Sequence, residues 1–339
     1  MKRIINKGSR SRFAWPAAIL PALLIAALAG GCGGNGDAGS GGRVKVAASI
    51  APLADFAERV GGERVEVELM VPAGASPHTY ELTSGQMKFL SEARLLILNG
   101  LELETWATDV LGKVGNSGLV KVETAGAIPA DELIAAGAEH GHKGEEHEHE
   151  GEVREGVEHE HENHHHGVYD PHVWLDPRLA VYQVQAIRDA LAEADPGHAR
   201  EYRDNASAFI EDLEELDAWI GDQVDSFTHR KFVAFHSSWT YFAARYGLEM
   251  VGVVEELPGA EPSAAYIADL VEVIRAEGVT VVFAEPQFSP RVAEAVANAS
   301  GGEVKVAILD PLGNPDDPAK DTYDKLMRHN VEEMGRALE

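Results

Sequence analysis

Short runs of aliphatic and β-branched residues alternate along this chain with longer segments whose apolar positions recur every three or four residues. The first run, 44–49 (VKVAAS), reads as a buried strand. A helix is predicted after Pro52, over LADFAERVGG, closing at the Gly61-Gly62 pair. Residues 65–71 (VEVELMV) form a second strand, and 84–93 are predicted helical, leading into strand 95–98 (LLIL). A helix near 104–113 and a strand at 119–122 (LVKV) complete this series. The same rhythm returns after residue 230, with strands at 231–235, 248–254, 279–284 and 304–309. Helices near 239–246, 263–277 and 290–299 fall between them. The alternation predicts an α/β protein of two lobes, each a roughly four-stranded parallel sheet flanked by helices.

One long helix is predicted to join the lobes. Asp195 can cap it and Pro196 suits its first turn. Tyr202, Ala206, Phe209, Leu213, Leu216 and Ile220 follow at alternating steps of four and three, which keeps them in one stripe. From 196 to 226 such a helix runs roughly 45 Å at ~1.5 Å per residue. The predicted lobes are then 44–195 and 227–339.

Two segments break the pattern. Residues 1–32 begin with Lys2, Arg3, Lys7, Arg10 and Arg12, continue as the 19-residue apolar run FAWPAAILPALLIAALAGG, and stop at Cys32. Pro16, Pro21 and the closing small residues suit a signal peptide better than a membrane span. Leu28-Ala29-Gly30-Gly31-Cys32 resembles a bacterial lipoprotein signal, in which the cysteine is lipidated, although Ala29 stands where leucine is usual. Residues 33–43 are glycine-rich and read as a flexible tether. The second segment, 140–166, holds nine histidines and nine glutamates in 27 positions. It has too little apolar surface to order itself, and reads as a disordered insert in the first lobe.

Charge and cysteine usage narrow the function. The chain has 56 acidic and 29 basic side chains, five of the latter in the signal segment. That surface repels nucleic acid and attracts cations. Cys32 is the only cysteine, so an intramolecular disulfide and a thiolate metal site are both excluded.

Four residues stand where an α/β sheet binds ligands, beyond the carboxyl ends of strands. His78 lies just past the second strand, and His172 follows the insert. His236 ends the run KFVAF, and Asp310 ends VKVAIL. Two come from each lobe, so they can meet in a cleft. Three neutral imidazoles and a carboxylate suit tetrahedral Zn(II). A set richer in oxygen would suit Mn(II), and imidazole also accepts Cu and Ni. Glu285, after VVFA, is a candidate fifth ligand, a hydrogen-bond acceptor behind the ligands, or a structural acceptor beside Pro286. His198, His229 and His329 sit in polar surroundings and are assigned no ligand role. His140, His142, His147, His149, His159, His161, His164, His165 and His166 of the insert form a flexible, weaker zinc-binding tract.

Several motifs stand in order: Pro77-His78-Thr79-Tyr80-Glu81, Asp170-Pro171-His172-Val173-Trp174-Leu175-Asp176-Pro177, Ala234-Phe235-His236, Phe283-Ala284-Glu285-Pro286-Gln287-Phe288 and Leu309-Asp310-Pro311-Leu312-Gly313. Together they resemble the metal-binding lipoproteins of bacterial zinc and manganese ABC transporters, over nearly all of 44–339. The resemblance implies two lobes joined by a rigid helix, with the metal held between them by His78, His172, His236 and Asp310. It also implies zinc as the bound solute, because histidine at the third position goes with zinc and glutamate with manganese. A histidine-rich insert is typical of the zinc branch. Some zinc members carry a disulfide in the second lobe, which this chain cannot form. The implied partners are a membrane permease and its ATPase, with a lipid anchor at Cys32 on the outer face of the cell membrane or in the periplasm. A monomer is expected, and no enzyme activity. The rival readings are a manganese carrier of the same type, a zinc-dependent hydrolase, and an adhesin or metal buffer. HExxH and GxSxG are absent, and a fourth ligand closes the position that a catalytic zinc keeps open.

Overall fold

The computed structural model describes residues 42–137, 168–256, 258–301 and 303–339. The signal segment, Cys32, most of the tether and all nine histidines of the insert lie outside the described residues. Two four-stranded parallel sheets form the frame. The first contains β1 (Val44–Ala48), β2 (Val65–Leu69), β3 (Leu95–Leu98) and β4 (Val120–Glu123), in the order β2-β1-β3-β4. The second contains β5 (Lys231–Ala234), β6 (Glu249–Val253), β7 (Val281–Ala284) and β8 (Lys305–Ile308), in the order β6-β5-β7-β8. All eight strands overlap the ranges predicted from hydrophobic runs. In each sheet the first strand lies between the second and third, so the chain order reverses beside it. That reversal opens a crevice at the carboxyl ends, where ligands bind.

The helices are α1 (Ala51–Gly61), α2 (Ser84–Leu90), α3 (Ala107–Lys113), α4 (Pro177–Ala194), α5 (Ala199–Asp225), α6 (Thr240–Tyr246), α7 (Ala264–Glu277), α8 (Arg291–Ala299) and α9 (Tyr323–Leu338). Local chemistry sets several of their starts. Thr83 and Gln86 make a capping box on α2, Asp176 caps α4 ahead of Pro177, and Ser263 caps α7. Two helices, α4 and α9, lie in stretches to which the hydrophobic pattern gave no element. The α4 stripe of Leu179, Ala180, Val184, Ile187 and Leu191 is interrupted by Gln183, buried for a polar reason described below.

The long helix exists, but it starts three residues later than its cap signal suggested. Pro196–His198 form a short 3₁₀ turn first. The Asp195 carboxylate accepts from Tyr202 Oη at 2.8 Å and lies 2.6 Å from His198 Nδ1, so it ties the end of α4 to the start of α5. Tyr202, Ala206, Phe209, Leu213, Leu216, Ile220 and Val224 are all buried along one face of α5. Each large member contributes about 1.5–3 kcal/mol by burial, far more than the helix propensity of any single residue. These side chains belong to one continuous core that includes Val46 and Ile97 from the first sheet and Phe232 and Phe283 from the second. None of the described helices is long and apolar enough to cross a membrane.

Candidate metal centre

The loop that carries His78 follows β2 after Met70 and Val71 have extended its pairing to the Ala48 and Ser49 carbonyls. The His78 carbonyl accepts from Thr105 Oγ1 at 3.2 Å. Thr105 follows a left-handed run, Gly100, Leu101 and Glu102, with φ of 88°, 52° and 63°. For the two non-glycine residues this conformation costs on the order of 1 kcal/mol or more each. Glu104 holds the run in place. Its buried carboxylate accepts from Asn99 N at 2.8 Å, Gly100 N at 3.1 Å and Ser49 Oγ at 2.6 Å. Burial raises the Glu104 pKa against those three donors, which favour the charged form.

The same run places His172. Asn99 Nδ2 donates to the Pro171 carbonyl at 2.8 Å, and Gln183 Nε2 donates to Asn99 Oδ1 at 2.9 Å. That explains the buried glutamine in α4: it orients the amide that grips the residue before His172. From the other side, Tyr241 Oη donates to the Asp170 carbonyl at 2.9 Å. Trp174 Nε1 donates to the Pro311 carbonyl at 2.7 Å, and Tyr323 Oη donates to the Trp174 carbonyl at 2.6 Å. His236 sits on extended backbone two residues beyond β5, aimed at the same point.

Three imidazoles therefore converge. His78 Nε2 lies 3.4 Å from His172 Nε2, and His236 Nε2 lies 3.2 Å from His172 Nε2. The other ring nitrogens of two of them face carboxylates. His172 Nδ1 is 2.9 Å from Asp170 Oδ1, and His236 Nδ1 is 2.8 Å from Glu285 Oε1. Asp170 Oδ1 also accepts the His172 backbone N–H at 2.9 Å, and Ser238 Oγ donates to Glu285 Oε1 at 3.0 Å. At His172 the hydrogen bond to Asp170 fixes the proton on Nδ1 and leaves the Nε2 lone pair facing inward, while at His236 the Glu285 oxygen lies at ion-pair distance and favours positive charge on that side of the ring. Lone pairs this close repel each other unless a proton or a cation lies between them. A zinc–nitrogen bond of about 2.0–2.1 Å in a tetrahedron puts neighbouring nitrogens about 3.3–3.4 Å apart, the spacing seen here. Burial alone lowers the His236 pKa, but the Glu285 carboxylate, with the charges of Asp170 and Glu255, more than reverses this and raises it above 6.5.

The three rings border a cavity of about 10 Å³, on the order of one water-sized body. Its walls include Ser76, Glu285 and Gln287, and each of these has a buried oxygen with no hydrogen-bond partner: Oγ, Oε2 and Oε1 respectively. Orphaned buried oxygens are costly, so the space is built for a polar or charged occupant.

Asp310, predicted alongside the histidines, stands differently. Among the described residues, the group whose ligand atoms all lie within 4.8 Å of one another is His78, His172 and His236. The Asp310 carboxylate is buried, with Oδ2 at 2.6 Å from Lys320 Nζ. Glu285, read from sequence as a lesser candidate, lines the cavity instead. Sequence reasoning missed the roles of Asp170, Gln183 and Lys320. Asp170, two residues before His172 within a quoted motif, was the one with a signal to follow.

Residues 46–337 match the family described as ZnuA, zinc-uptake complex component A, periplasmic. A zinc-binding protein, AdcA, of Streptococcus pyogenes is 31% identical over 296 residues, covering 86% of this chain and 56% of the relative. The chain thus spans about half the length of such streptococcal relatives. A manganese-binding lipoprotein, MntA, of Halalkalibacterium halodurans is 29% identical and covers 91% of this chain and 94% of the relative. The zinc-bound crystal structure of a ZnuA deletion mutant superposes with a TM-score of 0.70 at 30% identity, covering 87% of this chain and 98% of that one.

Proposed function

The chain belongs to the family of periplasmic zinc-uptake components, and from that membership we propose that it captures Zn(II) between its two sheets and delivers it to an ABC transporter. The observation that carries the choice of metal is the trio of Nε2 atoms, 3.2 and 3.4 Å apart, with carboxylates behind two of the rings. Three imidazoles favour zinc over manganese, which prefers oxygen. The MntA relative shows that the fold also serves manganese, so the donor set rather than the fold decides. Ligation by His78, His172 and His236, with a fourth group from Asp310 or Glu285, is part of the proposal. The family is one of uptake components rather than enzymes.

Metal analysis of protein lacking residues 140–166 tests this reading. One tightly held zinc per chain is expected at pH 7.5, with weaker, multiple binding only in the full chain. Zinc competes with protons for imidazole. Because the Glu285 carboxylate raises the His236 pKa, protons should begin to compete at a higher pH than for an ordinary histidine, and affinity should keep falling to pH 5. Equal affinity at pH 7.5 and pH 5 would remove imidazole from the site.

For the exported end of the chain, we propose cleavage before Cys32 and lipid attachment at its thiol, leaving the metal-binding part tethered outside the cytoplasm. The support is the signal-like run before Cys32 and the lipoprotein name of the MntA relative. Cys32→Ala should leave an uncleaved precursor or release the protein from the membrane fraction. A processed, membrane-bound Cys32→Ala protein, seen by fractionation and intact mass, contradicts the anchor.

A further inference from the structure

On the reading that the three histidines hold zinc, we propose that Lys320 competes with the metal for Asp310, so that its ammonium must leave before the carboxylate can become a ligand. Four donors already surround that carboxylate. Oδ1 accepts from Leu312 N at 3.1 Å, Gly313 N at 3.0 Å and Gln287 Nε2 at 3.2 Å. Oδ2 meets Lys320 Nζ at 2.6 Å. Three donors on Oδ1 leave Oδ2 as the oxygen that a cation can reach, and Lys320 occupies it. Both side chains are shielded, at 16% exposure for Lys320 and 4% for Asp310, so the pair is only weakly screened by water.

The backbone does not offer another route. The side-chain amide of Asn330, on α9, accepts from Asp310 N and donates to Asp310 O, both at 2.8 Å. The Asp310 main chain is therefore fixed, and only its carboxylate can turn toward the cavity that Pro311 and Leu312 border. Lys320, by contrast, sits in a loop held mainly to itself. Its N–H donates to the Asp317 carbonyl at 2.9 Å, and its carbonyl accepts from Asn314 N at 3.2 Å. The mobile partner in an exchange is thus the lysine.

Displacing an ammonium from a shielded carboxylate subtracts from the energy of the zinc–oxygen bond that replaces it. Lys320 then lowers the affinity without touching the imidazoles that select the metal. That balance suits a carrier, which must release its cargo as well as hold it. When zinc leaves, the returning ammonium neutralises a carboxylate that would otherwise be buried and charged.

The sign of one substitution tests this. Zinc affinity is measured by competition with a fluorescent chelator, in protein lacking residues 140–166, for Lys320→Met, Asp310→Ala and the double variant. Lys320→Met should bind zinc about tenfold more tightly and release it more slowly, the scale seen when groups behind a ligand are changed. That gain should vanish in the double variant. Asp310→Ala alone should cost only a few-fold, because Asp310 starts engaged elsewhere. Lys320→Arg keeps a cation on Oδ2 and should bind more weakly than Lys320→Met. Melting curves of the metal-free variants identify any that are unfolded, and Lys320→Arg then carries the comparison with Lys320→Gln. If Lys320 instead aims Asp310 at the metal, Lys320→Met weakens binding. Weaker or equal affinity in folded Lys320→Met, with His236→Ala still abolishing tight binding, overturns the Lys320 inference alone. Tight binding that survives His236→Ala overturns the three-histidine reading on which it rests.

Discussion

Replacing His236 by alanine, in protein lacking residues 140–166, should lower zinc affinity by at least about 100-fold. The ring supplies one of three converging nitrogens, 3.2 Å from its neighbour on His172. Without it the proposed four-ligand set is one protein ligand short, and His236→Ala also leaves Glu285 buried without the ring it faces. The insert must be removed first, because nine histidines in 27 positions would bind zinc in their own right and hide the loss. His236→Glu is the informative companion. It replaces a nitrogen with a harder oxygen, and its zinc-to-manganese preference should shift toward manganese. Competition titrations with both metals measure each effect. Wild-type zinc affinity in His236→Ala would end the histidine account.

The second large effect should come from residues that need not touch the metal. Asp170→Ala and Glu285→Ala are each expected to weaken zinc about 10–100-fold, since each removes the carboxylate beside an Nδ1. For Asp170 the loss has two parts, because Oδ1 also fixes the His172 backbone N–H. The conservative variants separate positioning from ligation. If Glu285 acts through His236, Glu285→Gln keeps an oxygen near Nδ1 and recovers part of the affinity. If its unpartnered Oε2 is itself the fourth ligand, Glu285→Gln falls nearly as far as Glu285→Ala. Titration of the two variants side by side, with melting curves as a check on folding, decides between these roles. Affinity unchanged in both alanine variants would show that the carboxylates do not tune the rings.

The α/β class, the eight strands and most of the helices followed from sequence because their signals are local. A buried parallel strand must be a short apolar run, and the stripe from Tyr202 to Ile220 can only face one way on a helix. His78, His172 and His236 were legible for a related reason: strand ends in such sheets are where ligands bind, and these three stand at or near them or within a quoted motif. Helix α4 was not, because Gln183 breaks its apolar face, and that glutamine makes sense only beside Asn99 and Thr124, which are distant in sequence. The 3₁₀ turn at Pro196–His198 likewise depends on a single carboxylate, Asp195, serving both His198 and Tyr202. The carboxylates around the site show the same division most clearly. Sequence named Asp310 and Glu285 as candidates, but it could not say which faces the imidazoles, because a carboxylate goes to whichever donor the tertiary fold brings nearest. Folding brings Lys320 to Asp310 and His236 to Glu285, and neither pairing is written in local sequence.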